Sequence, residues 1–234
     1  MQLVSPHSVL RRLPPQLDRK QALFLDGLRH AAEIASLAYT RLMGTLTEIA
    51  VCEGDGTQPH ITRAYLDAWA FVDSVDRFRT LLFLLPGATP VPGEPTFAEL
   101  SQAIRDLRNV SDHLAQRADY VIAHKGTALG VLSWFTFLDP AKMSGVICTI
   151  CPGSLGKVTG AISNPSGKEI EFPTGAIQLA AGDRVASLSD VIPAMEVRIQ
   201  RLERAISDAL SSIGATESAG ADLVLKLHVE FQRN

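Results

Sequence analysis

The chain has 234 residues, 46% of them hydrophobic and 20% charged, with a mean hydropathy of +0.13. That composition excludes a disordered chain and a disulfide mini-protein, and the length allows one large domain or two small ones. Lys plus Arg number 22 against 25 Asp plus Glu, a formal net charge of -3, so a broadly basic nucleic-acid surface is excluded while a local site is not.

Most of the cations are arginine, which suits pairing with carboxylates or phosphates better than solvation. Met1 to Pro15 carries Arg11 and Arg12 after few apolar residues and has no apolar run of signal-peptide length. The first helix is expected from about Leu17 to Val51, on the recurrence of Leu23, Leu28, Ile34, Leu37, Leu42, Leu46 and Ile49, and Gly54-Asp55-Gly56 ends it. A second starts near Thr62, carries Tyr65, Trp69, Val72, Val75, Phe78 and Leu82, and stops at Pro86-Gly87. Its dense apolar stretch, Leu81 to Leu85, is too short to span a bilayer, so no membrane partner and a cytoplasmic location are expected. The third begins at Thr96 with a capping box, Thr96-Phe97-Ala98-Glu99, and its stripe runs through Phe97, Leu100, Ile104, Leu107, Leu114, Ala118 and Val121, with Ser111 as the one polar member.

After about residue 126 the texture changes to β-branched runs punctuated by glycine. Strands are expected at Leu129–Phe137, Gly145–Ile150, Lys157–Ile162 and Gly175–Ala180. A fourth helix runs from about Asp190 to Ile213, with Pro193 tolerated in its first turn. The tail alternates Leu223, Leu225, Leu227, Val229 and Phe231 with polar residues, the pattern of a half-buried strand. The fold class is therefore α+β, mainly α: a four-helix bundle over 1–126 and 188–215, with a small antiparallel sheet inserted between helices three and four. That β subdomain spans 127–187 and takes the C-terminal strand, 221–233.

Several constellations could carry chemistry. Gly153-Ser154-Leu155-Gly156-Lys157 has the wrong spacing for a phosphate loop and reads as a hairpin turn. Cys148-Thr149-Ile150-Cys151 has the spacing of half a zinc site, but only Cys52, His60 and His124 offer remote ligands. The pair reads as small hydrophobes in a strand, with no metal and no cofactor expected. In the second helix Trp69, Asp73, Asp76 and Arg77 share one face. They either form ion pairs within the helix, or Asp73 or Asp76 orients a cationic group on a neighbouring one.

The remaining motif is Arg108-Asn109-Val110-Ser111-Asp112-His113 in the middle of the third helix, on the side away from Leu107 and Leu114. It resembles the signature of HEPN domains, helical bundles widespread in prokaryotic antiviral defence and toxin–antitoxin systems, where a polar residue follows the arginine and four to six residues separate the arginine from a histidine. The resemblance covers these six residues and their helical setting. It implies a homodimer pairing two motifs across an interface and a metal-independent endoribonuclease acting on RNA. His113 would then exchange a proton with the 2′-hydroxyl or the leaving oxygen. Arg108 would stabilise phosphoryl charge, and Asn109 would orient the imidazole or touch phosphate. Asp73, Asp76 and Asp112 are the supporting residues. The other reading treats Arg108/Asp112 and Asn109/His113 as ordinary pairs one helical turn apart. The protein is then a non-catalytic helical dimer whose β subdomain binds a protein partner, in an antitoxin-like or scaffold role.

Overall fold

The structure is a computed structural model that describes residues 2–52, 58–85, 95–124, 126–139, 141, 144–153, 169–212, 214, 222, 226 and 228. Among these residues it is α+β and mainly helical, with five α-helices and one four-stranded antiparallel sheet. Every strand among the described residues lies after residue 130.

Helix α1 (Arg19–Val51) starts where the Asp18 side chain accepts from the backbone N–H groups of Lys20 and Gln21, satisfying two donors that have no intrahelical partner. It packs most extensively on α2 (Gln58–Leu84). The face α1 buries differs in part from the expected one. Leu28, Leu42 and Leu46 are in the core, but Leu23 and Leu37 are exposed and Ile34 nearly half so. Alanines take their place: Ala31, Ala32, Ala35 and Ala38 are buried, as are Ala64 and Ala68 of α2. Small residues let two helices approach closely, and the bulky leucines are turned outward as a result.

The third helix does not run unbroken to Val121. It stops as α3 (Pro95–Asp112) and resumes as the short α4 (Ala118–Ala123). Ser111, Asp112 and His113 are poor helix formers, and an aspartate at a helix C-terminus opposes the macrodipole. The chain tightens there into turns, with the Leu114 N–H donating to Ser111 O and the Gln116 and Arg117 N–H groups to His113 O.

The sheet runs β2-β1-β3-β4, from β1 (Val131–Asp139), β2 (Ser144–Ile150), β3 (Thr174–Ala181) and β4 (Arg184–Ser187). Of these β4 was not expected, being only four residues long. The strand expected at Lys157–Ile162, the turn at Gly54-Asp55-Gly56 and most of the tail strand lie outside the described residues. Helix α5 (Leu188–Ser212) follows β4 directly. Pro193 therefore falls inside the second turn rather than the first, and deprives the Ser189 carbonyl of its helical donor.

One face of the sheet joins the helical core. Leu132, Trp134, Ile150, Ile177 and Leu179 form a single cluster with Tyr39, Phe71, Phe78, Ile104 and Ile199. Side-chain hydrogen bonds fasten this face to the helices. The Tyr65 hydroxyl shares its one proton between Gly130 O at 2.9 Å and Ile150 O at 3.1 Å, and the Trp69 indole N–H donates to Leu129 O at 3.1 Å. Gly130 sits at φ +81, where an added Cβ would stand 2.5 Å from Ala180 O. Only glycine fits that strand entry.

Candidate functional site

Arg108 lies on the side of α3 that faces α2. Its Nη1 donates to Asp76 Oδ2 at 2.7 Å and its Nε to Asp73 Oδ1 at 3.0 Å, while Asp112 Oδ2 stands 3.6 Å away. The second reading of the α2 carboxylates is the one the geometry realises: both orient a cation on a neighbouring helix. The Asp76 side chain is only 8% exposed, and its other oxygen, Oδ1, is buried without a hydrogen-bond partner. A nearly buried carboxylate needs a cation, and Arg108 supplies one. The guanidinium is held still more firmly protonated than usual, chiefly by the hydrogen bond to Asp76.

The other two motif residues go elsewhere. Asn109 is exposed on the last turns of α3. His113 lies one residue past the helix end rather than mid-helix, is exposed, and pairs through Nδ1 with Gln116 Oε1 at 2.9 Å. No hydrogen bond or ion pair among the described residues joins His113 to Arg108 or Asn109. Helical geometry already separates them, since five residues at 100° each leave two side chains about 140° apart around the axis. The break at Asp112 adds to that divergence. The site thus brings together Arg108, Asp73, Asp76 and Asp112, and leaves Asn109 and His113 outside. One guanidinium among three carboxylates makes a locally negative surface, which disfavours a phosphodiester.

Among the described residues, neither Cys148 nor Cys151 belongs to a group of three or more metal-ligating side chains. Cys148 stands opposite Trp134 in the β1–β2 register, is half-buried, and has its thiol pushed up by burial. Of the remote candidates, His60 contacts Glu48 at 3.0 Å and His124 contacts Tyr120 O at 2.8 Å.

A charged cluster on α1 was not foreseen. Arg29 is 5% exposed and is hydrogen-bonded to Asp26 at 2.9 Å and to Asp222 at 2.6 Å, with the His30 Nε2 at 2.7 Å. Asp26, Arg29 and Glu33 follow helical ion-pair spacing and were legible as a surface ladder. Asp222 is 193 positions away from Arg29 and carries no local signal.

No family model, no curated protein and no solved structure matches this chain. No helix among the described residues is long and apolar enough to cross a membrane.

Proposed function

We propose that the chain is a non-catalytic protein-binding module. The long helices α1, α2, α3 and α5 serve as a bundle-like support, and the sheet inserted between α3 and α5 offers the docking face. The observation that carries this reading is the commitment of Arg108. A guanidinium already shared among Asp73, Asp76 and Asp112 is an interhelical clamp, and the three carboxylates around it offset the charge that a phosphoryl group would need. His113 without a partner from the motif is an ordinary surface imidazole, and the metal-independent ribonuclease implied by the HEPN resemblance loses its two-residue constellation.

The sheet supplies the positive half of the argument. Its side away from the core carries Phe135 and Phe137 in edge-to-face contact, with ring centroids 4.9 Å apart, and Phe172 at 6.0 Å from Phe137. Ile147, opposite Phe135 in register, is 56% exposed and Phe172 60%. Adjacent exposed apolar side chains of this size favour a protein partner over water.

The deciding experiment is incubation of the purified chain with structured and single-stranded RNA in EDTA. We expect no cleavage by the wild type and no difference on Arg108→Ala or His113→Ala. Cleavage by the wild type that disappears in His113→Ala would restore the ribonuclease reading. Sedimentation of the wild type beside Ile147→Glu tests whether a second copy is the partner: self-association then appears in the wild type and is lost in the variant.

A further inference from the structure

The Arg29 cluster has an asymmetry that a purely structural ion pair does not need. Arg29 is rooted in α1 and nearly buried, whereas Asp222, its strongest partner, is 61% exposed and comes from the other end of the chain. The two meet fork to fork, Nη2 to Oδ1 at 2.6 Å and Nη1 to Oδ2 at 3.2 Å, the geometry in which arginine recognises a carboxylate. The immobile half of the pair is the receptor, and the accessible half is the part that another carboxylate could replace.

The pair opens onto a cleft of about 740 Å³ between α1 and the segment before it. Leu10, Leu13 and Leu23 line it alongside Arg11 and Arg12. Arg11 is tied to Glu33 at 2.6 Å, and Glu33 also lies 3.6 Å from Arg29. Without Asp222, the nearly buried Arg29 guanidinium keeps Asp26 at 2.9 Å and Glu33 at 3.6 Å but loses the carboxylate that meets both of its Nη atoms.

A metal ion is a poor occupant. Asp26, His30 and Asp222 do present ligand atoms within 4.8 Å of one another. The Arg29 Nη2 is nevertheless within 2.9 Å of an atom of each, and would repel a cation placed among them. An oxyanion is what the donors suit, and the leucines select one attached to an apolar group.

We propose that this cleft binds an acidic peptide segment, an Asp or Glu next to an apolar residue, and that Asp222 occupies it in cis as a built-in competitor. The chain's own sequence at that point, Asp222-Leu223, has the same pattern. A tethered competitor lowers the apparent affinity for an external peptide by the fraction of time the cleft is open. The cleft lies on α1, apart from the sheet face, and the inference stands whether or not that face docks a partner.

The test is fluorescence anisotropy with a labelled, capped hexapeptide, Ala-Ala-Asp-Leu-Ala-Ala, titrated with the full-length wild type, Asp222→Asn, Asp222→Ala and Asp222→Glu, each checked by thermal melting. The Asn and Ala variants should bind the probe about tenfold or more tightly than the wild type. Asp222→Glu keeps a carboxylate and should behave like the wild type. A probe with Asn in place of Asp should not bind, and Arg29→Lys in the Asp222→Asn background should weaken binding by losing the bidentate fork. The proposal is overturned if neither Asp222→Asn nor Asp222→Ala binds more tightly than the wild type, or if the two probes bind equally. It is also overturned if inorganic phosphate competes as well as the unlabelled peptide, which would mark a general anion site.

Discussion

The guanidinium of Arg108 on α3 and the carboxylate of Asp76 on α2 lie 2.7 Å apart, and only the arginine reaches water to any extent, 40% exposed against 8%. This inequality decides what each partner does. Asp76 could not be carried into the α2–α3 contact unpaired, so Arg108 is a requirement of the packing before it is anything else. The placement of the motif on the polar side of α3 would suggest that Arg108 can be replaced with little effect on stability. The contact with Asp76 reverses that expectation.

Arg108→Ala should destabilise the fold by about 1–3 kcal/mol, because it leaves a nearly buried carboxylate whose other oxygen is already unpartnered. The double variant Arg108→Ala/Asp76→Ala should lose less than the sum of the two single losses, since the second change removes the orphaned charge. His113→Ala, on a residue outside the clamp, should stay within about 0.5 kcal/mol of the wild type. Urea unfolding of the wild type, the single variants Arg108→Ala, Asp76→Ala and His113→Ala, and the double variant checks all three, and a fully additive double variant would show that the clamp is not an energetic unit.

Asp67 gives a prediction with a pH sign. Burial pushes its carboxyl above the ordinary aspartate value, against the opposing pull of Arg41 at 3.3 Å. The folded state therefore binds this proton more tightly than the unfolded state. The Asp67 contribution to stability falls as pH rises from the unfolded pKa through the folded one, and stays low above it. Asp67→Asn removes that cost while leaving Arg41, which is half exposed, to water. The variant should melt above the wild type at pH 7, and the gap should close as pH falls through the acidic window. A lower melting temperature for Asp67→Asn at pH 7 would mean that the Arg41 pair outweighs burial.

Much of the fold is readable in the residues because periodicity reports burial directly. The stripe from Tyr65 to Leu82 places α2, and the change to short runs between turn residues places β1, without any partner being known. What escapes has physical causes too. Ala31, Ala32, Ala35 and Ala38 lie on the buried face of α1, yet alanine carries little hydrophobic signal, so the bulkier but exposed Leu23 and Leu37 are read as core instead. The break after Asp112 depends on propensities of a few tenths of a kcal/mol, too small to interrupt a stripe that continues through Leu114. At the candidate site, Asp73 and Asp76 were identifiable as carboxylates waiting for a cation. That Arg108 takes both is a tertiary fact, as is the pairing of Arg29 with Asp222.

The cysteines should separate by reactivity. Cys52 is exposed, whereas burial raises the Cys148 thiol away from the reactive thiolate form. Iodoacetamide at pH 8, followed by peptide mass spectrometry, should modify Cys52 about tenfold or more faster than Cys148. Changing Cys148 and Cys151 together to Ser should leave the metal content of the purified protein unaltered. Stoichiometric zinc that vanishes in the double variant would require a ligand set including them.

A final prediction concerns the hydroxyl chain that joins α1 to the sheet. Thr47 Oγ1 contacts the Met43 carbonyl at 2.8 Å and Thr174 Oγ1 at 2.8 Å, and Thr174 Oγ1 contacts Thr136 Oγ1 at 2.7 Å. A carbonyl only accepts, so Thr47 spends its proton on Met43 and must accept from Thr174. Thr174 then has no proton left and must accept from Thr136. The order Thr136 to Thr174 to Thr47 to Met43 O is forced, and Thr136 and Thr174 are fully buried. Thr174→Val cuts the chain in the middle, stranding a donor on Thr136 and an acceptor on Thr47, and should cost about 1–3 kcal/mol. Thr136→Val removes only the first donor and leaves an unfilled lone pair on Thr174, so its cost should be smaller, about 0.5–1.5 kcal/mol. Once Thr174 is Val, adding Thr136→Val should recover part of the loss, because the stranded donor is gone. Equal losses for the two single variants, or a double variant worse than Thr174→Val alone, would show that the protons do not run in this order.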